Sequence, residues 1–507
     1  MASSTTNEPL KAEDNEPRPG TGASAARWSR RALLGLGVLG AASRAEAQVR
    51  APRRTRPASV PSGELKLLRR ITYGPTVDDV AWISSMGYNA YLEWQLNYEV
   101  MGDPEAEARV AALFTVPLAP FSLYQADSAQ VQRELAEATV IRRIFSNRQL
   151  FERIVEFWAD HFTTNIGQVS ILKNLEDREV YRLNALRTFA QMLFASAASP
   201  AMLVYLNNTQ SDGRPGRTPN QNYARELMEL HTLGVNGGYT QQDVVEVARC
   251  FTGWRARGNT GDPTAGMFFY DPNRHDNGSK LVLGNQIAAG GGFNDGITVL
   301  TILANHPSTA RFVCRKLIRW LLDYNPSTTL VDDIAGEFTR SSGNLKSVVR
   351  RILSYENMIW APPLFKRPVH LIVSALRVMR ANITSMNTIR GTYVNGTGNA
   401  PFAWGPPDGY PHSFEYWGGL PLPRWNYAFN LANNGVSGAT VDLPALLMGA
   451  TTATQIADRI DQIVFQGEMP PADKAALITY LRPDPPSLSR IRDAFGLALS
   501  SPGFQWH

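Results

Sequence analysis

From Glu64 onward, apolar residues recur at helical spacing in one segment after another. "GELKLLRRITYG", "TVDDVAWISSMG", "NAYLEWQLNY", "RQLFERIVEFWADHFTT" and "HPSTARFVCRKLIRWLLD" all carry the three-to-four-residue period of an amphipathic helix. Thr76 and Thr240 stand at N-cap positions with acids in the first turn behind them, and Gly74, Gly87 and Gly253 mark stops. Strand-like alternation is scarce. "GMFFYDP" and "KLVLGNQI" predict one small β-hairpin around residues 266–287. The expected fold is mainly α: a large single multi-helix domain with that hairpin and long irregular loops. No internal period of 20–50 residues supports a solenoid. Residues 207–219 and the Gly/Pro/aromatic stretch from Arg390 to Leu422 are the irregular segments, and long loops of this kind are where binding elements concentrate.

The 507-residue length and 44% hydrophobic content allow a sizeable core. Lys+Arg of 50 against Asp+Glu of 45 is a mild basic excess, without the basic and aromatic clusters of a nucleic-acid surface, so no nucleic-acid partner is expected. "RWSRRALLGLGVLGAASRAEAQ" places Arg30 and Arg31 before an apolar run and the small residues Ala45 and Ala47 after it. That layout predicts a twin-arginine signal peptide over 1–47, a Pro/Arg-rich linker over 48–60 and a helical domain over 61–507, with a periplasmic or secreted destination. No later run of 18 apolar residues predicts a transmembrane segment. Cys250 and Cys314 fit either a disulfide or two small core residues.

Three polar constellations stand out. In "NQNYARELMELHTLGV", Asn222, Glu226 and Glu229 fall on one helix face, flanked by Arg225 and His231. Two carboxylates one turn apart suit acid/base work, because repulsion and burial drive their pKa values apart; the same pattern also suits an Arg–Glu network tying helices together. In "FERIVEFWADHF", Glu152, Glu156 and Asp160 line another face, and His161 follows. In "YDPNRHDNGSKLVLG", His275 and Asp276 sit in a turn. None of GxSxG, HExxH, a Walker loop or a dinucleotide fingerprint is present.

Taken in order, "LLRRITYGPT", "FWADHFTTN", "SPAMLVYLNN", "NYARELMELHTLGVNGGYTQQDVVEVARCFTGW", "RHDNGSKLVLG", "HPSTARFVCRKL", "KRPVHLIVSALR" and "ALSSPGFQWH" resemble the bacterial exported family catalogued as domain of unknown function 1800. The resemblance implies an exported helical protein, often encoded beside a sulfatase-like exported family, and supplies no reaction. It favours Trp158, His161, Asn222, Arg225, Glu226, Glu229, His275 and Asp276. The chain departs from the family's "PPN…GWPGG…W" motif, reading "GPPDGYPHSFEYWGG" there, and His231 stands where relatives often have an aromatic residue.

The first functional reading is a hydrolase of envelope or extracellular glycans. Glu226, Glu229 and Asp160 supply its carboxylates, Arg225 and Asn222 assist, and the aromatics of the 402–417 loop grip sugar. The second is a metal- or cofactor-dependent periplasmic enzyme, in which His161, His275 and Asp276 bind a divalent metal together with a Glu of the 226–229 helix. The third is a non-enzymatic assembly or binding partner of a sulfatase-like exported protein.

Overall fold

Helices begin where short polar side chains replace missing backbone partners. Thr76 accepts from the Asp79 amide while the Asp79 carboxylate accepts from the Thr76 amide at 2.7 Å, a capping box that opens Val77–Met86. Thr240 and Asp243 repeat the device ahead of Gln241–Cys250. His306 caps Pro307–Leu321 by accepting from the Ser308 amide through Nδ1 at 3.1 Å. The computed structural model describes residues 63–258 and 261–507, and over these the protein is mainly α, as the periodicity predicts. The stretches read as signal peptide and linker lie outside the described residues. Among the described residues no helix is long and apolar enough to cross a membrane.

Strand pairing differs from the expectation of one hairpin over 266–287. The described residues form three two-stranded antiparallel sheets. Phe268–Tyr270 pairs backwards with Trp254–Ala256, in the register Trp254 to Tyr270, rather than forwards. Lys280–Val282 makes its own hairpin with Asn285–Ile287. The two turn residues, Leu283 and Gly284, both have positive φ (49° and 76°), which matches the twist of a two-residue hairpin. The turn therefore closes within "KLVLGNQI" and leaves "FFY" free to pair elsewhere. Asn382–Ile383 pairs with Ala439–Thr440.

Two large hydrophobic clusters make up most of the core. The first runs from Leu67 to Ala361 and includes Trp158, Phe162, Trp254 and Trp320. The second gathers Val369–Phe504 with Tyr73, Val140, Ile141 and Ile144. Every residue of the helix Pro368–Val378 is buried, the signature of a helix enclosed on all sides. In the second cluster, Pro421–Ala432 packs on Leu488–Ser500 at Gly496, where a Cβ would stand 2.7 Å from the Phe429 ring. Cys250 and Cys314 are both free and buried, so they act as small apolar residues.

Candidate functional site

The helix Gln149–His161 carries its acidic stripe into the protein. Glu152 pairs with Arg182 at 2.6 Å. Glu156, one turn on, accepts from Tyr73 Oη at 2.6 Å and lies 2.9 Å from His370 Nε2 and 3.4 Å from Arg143. Burial alone would raise the Glu156 carboxyl; Arg143 and His370, then Arg153, overcome it and hold the group well below the usual carboxylate range. Asp160 is ion-paired with Arg367 and keeps 21% of its side chain exposed. There burial wins over Arg367, ionised Glu156 adds repulsion, and the carboxyl is pushed up. Two carboxylates four residues apart are thus driven in opposite directions. Both line a pocket of about 260 Å³, counting the part open to solvent, with Arg143, Asn399, Phe402 and Tyr410.

The roof of this pocket is the long irregular segment. Ile166 N donates to Phe402 O at 2.9 Å, and Asn165 Nδ2 donates to Ala403 O and Trp404 O at 3.0 and 3.1 Å. Tyr205 Oη donates to Gly405 O at 2.5 Å. Gly409, at φ 83°, lets the chain pass so close to Asp160 O that a Cβ would stand 2.2 Å from it. Within this strap, residues 401–410, exposed Asp408 accepts from Trp404 Nε1 at 2.8 Å.

Asp408 lies within electrostatic reach of Glu226. The helix that begins at Asn222 widens into a π-turn over Leu227–Thr232, directly after Glu226; such turns are frequent at functional sites. Glu226 is half-buried and has no hydrogen-bond or ion-pair partner among the described residues. Burial, then Glu229, pushes its carboxyl up against the pull of Arg225. Glu229 accepts from Tyr239 Oη at 3.4 Å. The flanking residues have structural partners: Arg225 donates to Gln241 Oε1 at 2.9 Å, and Asn222 Nδ2 to Leu206 O at 3.3 Å. The strap thus touches Asp160 O at Gly409 and carries Asp408 within electrostatic reach of Glu226, whereas Asn222 and Arg225 are held by structural partners.

The expected metal donors do not assemble. His161 Nε2 donates to His231 O at 3.0 Å, and its ring, with Nδ1 lacking a partner, lies among Phe157, Phe162 and Phe312. His275 uses both ring nitrogens, Nδ1 on Thr252 O at 2.8 Å and Nε2 on Asp295 at 3.1 Å, and Asp295 also holds Lys280 at 2.5 Å. Asp276 is clamped by Arg249 at 2.8 and 3.1 Å. His161, His275 and Asp276 are thus each committed to a different network. Among the described residues no three His, Cys, Asp or Glu side chains are placed to hold a metal ion.

No sequence motif singles out Lys316. It lies in the middle of Pro307–Leu321, half-buried, with its ammonium 5.6 Å from the centre of the Phe312 ring. Burial lowers its pKa to about 8, with Asp160 and Asp408 opposing the shift. Lys316 also depresses buried His161 and, after burial itself, lowers His231 to about 3. One cation in an amphipathic helix carries no local signal; only the approach of the 401–410 strap makes it part of the site.

The family model described as "Protein of unknown function (DUF1800)" matches residues 66–506. No curated protein and no solved structure matches the chain.

Proposed function

Because the chain belongs to the DUF1800 family, which comes without a reaction, we propose its function from the site itself: carboxylate acid/base hydrolysis of envelope or extracellular glycans by an exported protein. The observation that carries this reading is Glu226, a half-buried carboxyl with no partner, pushed up beside Glu229 and within reach of Asp408. A carboxyl whose hold on its proton is strengthened by burial is suited to donate that proton to a leaving glycosidic oxygen, and a second carboxylate one turn away supports the charge that develops on the sugar. Trp404 and half-exposed Tyr416 on the adjoining segment offer ring faces for sugar. Asp160, with its raised carboxyl under the same strap, is the second acid of the region.

Glu226→Gln should abolish hydrolysis across a panel of bacterial and plant polysaccharides while the melting temperature stays within a few degrees, since no partner is lost. Turnover retained by this variant would remove Glu226 from the chemistry. The binding-partner reading draws support from the exposed Leu420 and Leu422 beside Tyr416, an apolar stretch suited to a protein surface. It requires that no polysaccharide be cleaved by the unaltered protein and that a sulfatase-like protein co-purify with it.

A further inference from the structure

The described residues contain seven lysines, and six of them donate to a defined acceptor. Lys173, fully buried, fills all three donor positions on Thr164, Glu176 and Tyr181. Lys316 alone donates to none and forms no ion pair within 4 Å among the described residues. The side chain is half-buried, its amine lies over the Phe312 ring, and Asp160 at the end of the Gln149–His161 helix and Asp408 of the 401–410 strap are within electrostatic reach. The titratable groups around it are Asp160, Asp408, Arg319, His161 and His231. Two of them, His161 and His231, are 1% exposed, and each has a ring nitrogen without a partner.

We infer that Lys316 is a nucleophilic amine that forms a reversible imine with a small aldehyde or ketone. An amine held away from acceptors, on an apolar stem, keeps its lone pair for attack. In the step, the nitrogen bonds to the carbonyl carbon, the carbonyl π pair moves to oxygen, and that oxygen takes one of the protons of the amine. The C–O bond then breaks: the hydroxyl leaves as water with a proton from a carboxylic acid, a role open to Asp160 with its raised carboxyl, the nitrogen lone pair closes the C=N bond, and the nitrogen returns its remaining proton to that carboxylate. Amine plus aldehyde gives imine plus water, with no redox change and no co-reactant. The inference stands apart from the Glu226 reading, since it involves neither that residue nor a glycosidic bond.

The test is reductive trapping of the full chain with glycolaldehyde and cyanoborohydride at pH 8, followed by peptide mapping of every lysine. An ordinary lysine with a pKa near 10.4 is about 0.4% free amine at that pH, whereas one at about 8 is about half free. Lys316 should therefore label on the order of 100-fold faster than Lys346. Lys316→Arg should lose that adduct alone, with the remaining lysines labelled as before and the melting curve unchanged. Labelling spread evenly over the lysines, or slower at Lys316 than at Lys346, overturns the inference. Butanal in place of glycolaldehyde separates the ligand sources: equal labelling means that the carbonyl alone is recognised, and preference for glycolaldehyde means a hydroxylated, sugar-type carbonyl.

Discussion

His231 shows how a residue can look catalytic in the sequence and be held inert by the fold. It is 1% exposed, its Nε2 has no partner, and its pKa falls to about 3. In the unfolded chain the same imidazole titrates near 6.5. Between those values the unfolded state takes up a proton that the folded state refuses. The stabilisation is thus complete above about pH 6.5 and declines as the pH falls toward 3, with a slope of about 1.4 kcal/mol per pH unit from this group. His161, lowered for the same reason, adds in the same direction. His231→Phe should flatten the pH dependence of unfolding free energy between pH 4 and 6 by about that slope, as read from denaturant titrations. An unchanged slope would show that the imidazole titrates normally in the fold. Residues of this kind were visible in the sequence as types but not as roles. Asp160 and His161 are neighbours in the chain, yet successive helical residues point about 100° apart, so one meets Arg367 and the other meets the backbone of His231. The Glu226–Glu229 face, in contrast, was legible, because residues three apart on a helix share a side whatever packs against them.

At the scale of elements, caps and stops were readable because they act within four residues; Thr76, Thr240 and Gly87 all lie where their chemistry places them. Pairings that depend on the rest of the fold were not. The strand Phe268–Tyr270 finds Trp254–Ala256 across a connection, a choice that no local alternation encodes. The 401–410 strap is another such case. Its aromatic content marked it as a binding loop, but its seat over Asp160 depends on Gly409 at φ 83° with a carbonyl 2.2 Å from where a Cβ would be. Gly409→Ala must strain that backbone and push the strap off Asp160. The expected loss is about 1–3 kcal/mol of stability, with faster proteolytic cleavage within 401–410 than anywhere else in the chain. Unaltered cleavage kinetics would mean that the strap is held by its other contacts, those of Phe402, Ala403 and Gly405, and not by the glycine.

At the scale of the molecule, the two hydrophobic clusters meet along a polar seam. Arg143 comes from the helix Ser128–Phe145, which feeds the second cluster, and Glu156 from the helix that feeds the first; His370 lies on the enclosed helix Pro368–Val378. Arg153 lies 3.0 Å from His370 and stacks 4.7 Å from the centre of Trp320, and Tyr73 closes the group through its hydroxyl. Glu156 is the acid that all of them share, and it is 5% exposed. Removing it leaves two guanidinium groups buried beside a neutral ring with no counter-charge, and breaking a buried pair in this way costs about 3–5 kcal/mol. Because the seam joins the clusters, that cost falls on their coupling as well as on the total. Glu156→Ala should lower the melting temperature and turn one cooperative calorimetric transition into two, the clusters then melting separately. Glu156→Gln keeps the shape and several hydrogen bonds while removing the charge, so it isolates the electrostatic part. A single transition that only shifts downward in both variants would show that packing across Tyr73, Val140 and Ile144, and not the charged seam, couples the two clusters.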